Sequence, residues 1–184
     1  MSDSLDHLTL LIDADRIREA VADMARRIDR EVIAALPLEE EPVLVVVMKG
    51  GFLFGADLLR ALSRPVPVVL VHARASDPHV MMTTEDREYL RGRRLIIVDI
   101  LMDSGGSLKR LYRWLMTECR PHSIQVAVLV HKTVTDPDPM PLDFLGYEVP
   151  DVRLVGYGMD EKQRYRGLPG IYTWWTPASG DRKV

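Results

Sequence analysis

Apolar residues recur at three- and four-residue spacing from Ile17 through Val21, Met24 and Ile28 to Val32. A stripe of that kind buries one face of a helix, and Asp13 stands where a side chain can cap the first turn. The spacing predicts a helix from residue 13 to about residue 35, stopped by Pro37 and Pro42. The pattern then changes. Val43-Leu-Val-Val-Val-Met48 is short, β-branched and apolar throughout, as expected of a strand covered on both faces. Lys49-Gly50-Gly51 turns the chain into a second helix over 52–62. A strand over 66–71 follows, and Pro65 and Pro67 predict an edge position or an irregular start for it. Residues 73–92 carry no clean period and are read as including a mobile loop. Further strands are predicted at 95–98, 124–130, 144–147 and 153–157. A helix is predicted at 107–118, with Leu108, Leu111 and Leu115 on one face. The run Asp136-Pro-Asp-Pro-Met-Pro141 fits neither a helix nor an inner strand, and the segment holding Trp174 and Trp175 reads as a polar tail.

Strands alternating with helices predict an α/β fold, a mostly parallel sheet flanked by helices on both faces. The 184 residues suit one domain, 1–184. In such sheets ligands bind beyond the carboxyl ends of the strands, which directs attention to 49–51, 99–107 and 131–132. Composition acts by exclusion. A net charge of -3 supplies no basic field to recruit nucleic acid. A single cysteine, Cys119, leaves no internal disulfide and no multi-cysteine zinc site. Residues 1–7 are polar and acidic, unlike a signal peptide, and the longest apolar run, 43–48, is too short to span a bilayer. The expectation is a cytoplasmic protein with neither membrane nor nucleic-acid partners.

Candidate chemistry concentrates in Leu95-Ile-Ile-Val-Asp-Ile-Leu-Met-Asp-Ser-Gly-Gly-Ser107. A buried strand delivers Asp99 and Asp103 at its end, and Ser104, Gly105, Gly106 and Ser107 then open a helix. Glycines let the backbone approach an anion, first-turn N–H groups are unpaired, and the helix dipole favours negative charge. These residues predict a phosphate cradle beside carboxylates suited to sugar hydroxyls or proton transfer. A plain strand-to-helix turn with a serine cap fits the same residues. The segment lacks the lysine of a Walker loop and the glycine spacing of a dinucleotide fingerprint.

This stretch resembles the phosphoribosyl pyrophosphate (PRPP) signature of type I phosphoribosyltransferases. The flanking segments resemble the hypoxanthine-guanine branch: Val47-Met-Lys-Gly-Gly-Phe-Leu-Phe-Gly-Ala-Asp-Leu58, Asp143-Phe-Leu-Gly-Tyr-Glu-Val-Pro-Asp151, Leu154-Val-Gly-Tyr-Gly-Met-Asp160 and Arg164-Tyr-Arg-Gly-Leu168. Order and spacing are kept from about residue 8 to residue 172. The resemblance implies the type I fold with a small hood built from N- and C-terminal segments. It also implies purine salvage, in which hypoxanthine or guanine and PRPP give the nucleoside monophosphate and pyrophosphate. By the same resemblance Asp103 is the general base near the purine N7, and Asp99 with 103–107 binds the ribose and phosphate of PRPP. Lys49, after a cis Met48–Lys49 peptide, holds pyrophosphate with Gly50 and Arg166. Lys132, Arg153 and Leu154 bind the base, Lys132 through the exocyclic oxygen. Asp160 and Asp99 hold magnesium, and the protein is a homodimer or homotetramer.

Three positions depart from the family. Its adjacent acidic pair reads Asp99-Ile100 here, its Ser-Tyr loop appears as Arg74-Ala-Ser-Asp-Pro-His-Val-Met-Met82 without the Tyr, and its base-stacking aromatic is Arg153. All three touch substrate binding. A nucleotide- or PRPP-sensing regulatory protein on the same fold is therefore the alternative, followed by a transferase for xanthine or a pyrimidine.

Overall fold

The computed structural model describes residues 7–37, 40–73, 82–134 and 139–175. A five-stranded parallel sheet forms its centre, in the order β3 (Val68–His72), β2 (Val43–Met48), β4 (Arg94–Met102), β5 (Ser123–Lys132), β6 (Phe144–Val149). Residues 43–47 of β2 are buried, whereas β3 alternates exposed and buried positions. That difference follows from place. An inner strand is covered on both faces, and the edge strand that Pro65 and Pro67 foreshadow is covered on one.

Alternate residues of the inner strands feed two separate cores. Leu44, Val46, Ile96 and Val98 pack with Ile17, Ile28, Phe54 and Leu58 from α1 (Ala14–Glu31) and α2 (Phe52–Ala61). Val43, Val45, Leu95 and Ile97 pack with Leu90, Leu108, Leu111 and Leu115 from α3 (Thr84–Leu90) and α4 (Gly106–Glu118). Asp13 caps α1 by accepting from the Arg16 N–H at 2.9 Å. The helix ends at Glu31, and a 3-10 turn over Ile33–Ala35 replaces the α-helical end expected there.

Four expectations are corrected. The 73–92 stretch holds α3, whose start is fixed by Thr83: its hydroxyl accepts from the Asp86 N–H at 3.0 Å. The altered loop, 74–81, lies outside the described residues. β4 runs past residue 98 to Met102, so Asp99 and Ile100 belong to the strand itself. The expected polar tail contributes β8 (Ile171–Trp174), which pairs antiparallel with β1 (Leu8–Ile12) and with β7 (Leu154–Val155). This three-stranded sheet, β1-β8-β7, is the hood that the resemblance implied. It leaves Arg153 just before β7 rather than inside a strand. Among the described residues no helix is long and apolar enough to cross a membrane.

Candidate active site

At the carboxyl ends of β2, β3 and β4 a cavity of about 440 Å³ opens under the hood. Lys49, Gly50, Asp99, the whole of 103–107, Leu154, Asp160 and Arg166 line it. Sequence reasoning missed His72, Met159 and Gln163 on the same wall. His72 ends β3, at the same carboxyl edge of the sheet as the Lys49 turn. Gln163 sits in a left-handed turn (φ 67) that its sequence does not announce.

The cradle is local in origin. Gly105 caps α4 in the left-handed region (φ 72) and no side chain caps the helix, so first-turn N–H groups face the cavity mouth without a built-in acceptor. No acidic residue sits in that first turn. Within the helix, therefore, no carboxylate offsets the pull of the dipole on an anion, and Asp103 stands before the cap. Opposite, the Met48–Lys49 peptide is cis, and Gly50 lies against Ile100: a Cβ on Gly50 would come 2.9 Å from the Ile100 side chain. Ile100 is 2% exposed and packs in the α1/α2 core. The residue in place of the family's second carboxylate thus supports the Lys49-Gly50 turn from beneath.

Asp99 is 9% exposed, and its Oδ1 accepts the Ile100 N–H at 2.7 Å. Burial pushes its carboxyl up from the ordinary 3.8 to about 7, against partial relief from the Ile100 and Leu101 N–H groups. Between those values the folded chain keeps a proton that the unfolded chain has released. Stability therefore falls as pH rises from 3.8 to about 7 and levels off above it. At roughly 1.4 kcal/mol per unit, the loss is on the order of 4 kcal/mol. Asp99→Asn is expected to be the more stable protein at pH 8 and to lose this part of the slope. Denaturant unfolding at pH 5 and pH 8 checks it, and equal slopes in the two proteins would contradict the assignment.

The segment 156–166 folds tightly beside the cavity, with left-handed Tyr157, Lys162, Gln163 and Tyr165 as well as Gly156 and Gly158. Tyr157 anchors it by donating to Asp57 on α2 at 2.7 Å. Asp160 accepts from the Gln163 N–H at 2.7 Å and pairs with Arg166 at 2.5 Å, while Arg166 also donates to the Gly158 carbonyl at 2.6 Å. Gly158 has φ 100, and a Cβ there would stand 2.2 Å from the Gly50 carbonyl oxygen. Only glycine lets these two cavity segments touch. Gly158→Ala is expected to destabilise the protein by about 2–4 kcal/mol, read as a lowered urea midpoint; an unchanged midpoint would mean that the contact yields easily.

Two expected site residues stand off the cavity wall. Lys132, 8% exposed, sets its Nζ 3.1 Å from Asp103 and 3.1 Å from Asp151. Arg153 pairs through Nε with the largely buried Glu161 at 3.0 Å, so its guanidinium is held by a carboxylate beside β7. As for metal, among the described residues no group of three or more His, Cys, Asp or Glu side chains is placed so that it could hold an ion by itself. Asp160 and Asp99 are oxygen donors on the wall of one cavity, which suits a hard cation completed by ligand and water oxygens.

Comparison with known proteins agrees with this arrangement. Residues 11–162 match the family model described as a phosphoribosyl transferase domain. The hypoxanthine phosphoribosyltransferase of Salmonella typhimurium is 32% identical over 169 residues, covering 88% of this chain and 92% of that protein. The hypoxanthine-guanine phosphoribosyltransferase of Aquifex aeolicus is 30% identical over 171 residues, covering 90% and 93%. Among solved structures, the Trypanosoma cruzi hypoxanthine phosphoribosyltransferase in complex with its product IMP superposes with a TM-score of 0.81 at 29% identity, covering 92% of this chain and 94% of that one.

Proposed function

The chain belongs to the phosphoribosyltransferase family, and from that premise we propose that it joins hypoxanthine or guanine to PRPP, releasing pyrophosphate and the nucleoside monophosphate. The observation that carries the reading is the single cavity in which an uncapped helix N-terminus, the Lys49-Gly50 turn and Asp103 converge, with Lys132 bonded to Asp103 from behind. In this reading 104–107 hold the 5′-phosphate of PRPP and Asp99 meets the ribose hydroxyls. Lys49, Gly50 and Arg166 take the pyrophosphate. The base lies between Leu154 and Asp103, with Lys132 on its exocyclic oxygen. The pair with Glu161 argues against Arg153 stacking on the base and for its bracing the hood instead. Magnesium, held by Asp160 with Asp99 and substrate oxygens, would neutralise charge on the departing pyrophosphate.

Bond breaking at the ribosyl carbon leaves positive charge there and needs no covalent help from the protein. This chain's own contribution is positioning and charge placement: the cradle fixes one end of PRPP, the Lys49 turn fixes the other, and Asp103 can take the base's proton. The exposed Val68 and Leu70 on the β3 edge support assembly into a homodimer or homotetramer, which light scattering tests.

The deciding experiment is magnesium-dependent pyrophosphate release from PRPP with hypoxanthine, guanine, xanthine and adenine offered in turn. Hypoxanthine and guanine are expected to turn over. Tight nucleotide or PRPP binding without turnover of any base would instead favour a regulatory sensor, the reading that the missing carboxylate at Ile100 favours.

A further inference from the structure

We infer that Asp151 is a positioning residue for the base, the fixed partner that aims the Lys132 ammonium. This rests on the reading above that Lys132 holds the exocyclic oxygen.

The backbone brings the two together. Lys132 and Val149 pair in the parallel register of β5 and β6, and the Thr133 N–H donates to the Val149 carbonyl at 2.8 Å. The next residue, Pro150, bends the chain, and the Val152 N–H donates to the Pro150 carbonyl at 2.8 Å. A three-residue turn of this type is common at strand ends, and the proline ring fixes φ at its first position. Asp151 at its centre therefore meets Lys132 by construction, its Oδ1 3.1 Å from Nζ.

The donor count supplies the function. A lysine ammonium has three N–H donors on a stem of four freely turning carbons. In this protein one donor goes to Asp103 and one to Asp151, each at 3.1 Å. Two fixed bonds leave the third with one direction. A single carboxylate would let the ammonium swing about it. The two partners also differ in their work. Asp103 is the group that accepts the proton of the base, and once it has done so it no longer balances the charge of Lys132. Asp151 does not line the cavity, whereas Asp103 does. It keeps the ammonium paired, at 8% exposure, while Asp103 changes charge. An unpaired ammonium at that depth would be costly.

The test compares Asp151→Asn, Asp151→Glu and Lys132→Met in steady-state kinetics with hypoxanthine, adenine and PRPP. The Asp151 side chain is 62% exposed, so both Asp151 variants are expected to fold, and thermal melts verify that. Asp151→Asn is expected to raise KM for hypoxanthine by about tenfold, to leave KM for PRPP within about twofold, and to narrow the preference for hypoxanthine over adenine by about tenfold. Asp151→Glu should recover part of each change, which a merely structural residue would not show. If Lys132→Met raises the hypoxanthine KM and Asp151→Asn does not, or if Asp151→Asn raises both KM values alike, the inference falls while the reading of Lys132 survives. An unchanged hypoxanthine KM in Lys132→Met takes both down.

Discussion

Asp103→Asn is expected to lower kcat by about 10²–10⁴-fold, the usual worth of a general base, with PRPP affinity held within a few-fold. Asp103 lines the cavity at the point where β4 passes into the cradle, and its side chain is 56% exposed toward that space. Asparagine has the same shape and can still accept from Lys132 Nζ, which Asp151 also holds at 3.1 Å. The cradle behind it consists of backbone N–H groups and a glycine at φ 72, none of which the substitution touches. The loss should therefore fall on proton transfer alone. Single-turnover kinetics with saturating PRPP, together with calorimetric PRPP binding, separate the two effects. A variant that turns over as fast as the parent would remove Asp103 from proton transfer. One that no longer binds PRPP would make it a phosphate or ribose ligand.

Features governed by neighbours in sequence were legible before the structure. The all-apolar 43–48 run forms β2 to the residue, because an inner strand buried on both faces needs no alternation. Ser104 to Ser107 line the cavity at the start of α4 because glycines and unpaired N–H groups are properties of the local chain. Features that depend on distant partners were not legible. β1 and β8 join residues 8 and 174, and strands of five and four residues carry too little pattern to show that pairing. The Lys132 bridge joins residues 29 and 19 positions away. Arg153 reads as a base-facing residue by its position in the family pattern. The left-handed turn that follows brings the largely buried Glu161 within 3.0 Å of its Nε, a charge-assisted contact that the family pattern does not announce. Helix α3 was within reach: Thr83 followed three residues later by Asp86 is a capping pair, and the absence of a clear apolar stripe hid it.

Hypoxanthine is expected to exceed adenine in kcat/KM by about 10⁴–10⁵-fold, the scale on which a site built to hydrogen-bond one group rejects its mismatch. Lys132 Nζ offers donors and no acceptor. Two of its donors are taken by carboxylates at 3.1 Å, and the residue is 8% exposed, so water has little room to serve the third. A 6-oxopurine presents a carbonyl oxygen to that donor. Adenine presents an amino group, donor against donor, and leaves a charged hydrogen-bonding group unsatisfied out of bulk water, which costs several kcal/mol. The preference should therefore reside in one side chain. Lys132→Met keeps the length and most of the volume of the stem while removing the ammonium. It should cut the hypoxanthine kcat/KM far more steeply than the adenine value and so bring the ratio down toward unity. Some loss in Lys132→Met will be common to both bases, because Asp103 and Asp151 then face each other without their cation. The ratio cancels that shared part and isolates recognition of the oxygen. A parent enzyme that used adenine as readily as hypoxanthine, or a Lys132→Met variant that kept the full preference, would move base recognition away from Lys132 and onto the backbone of Leu154 at the hood.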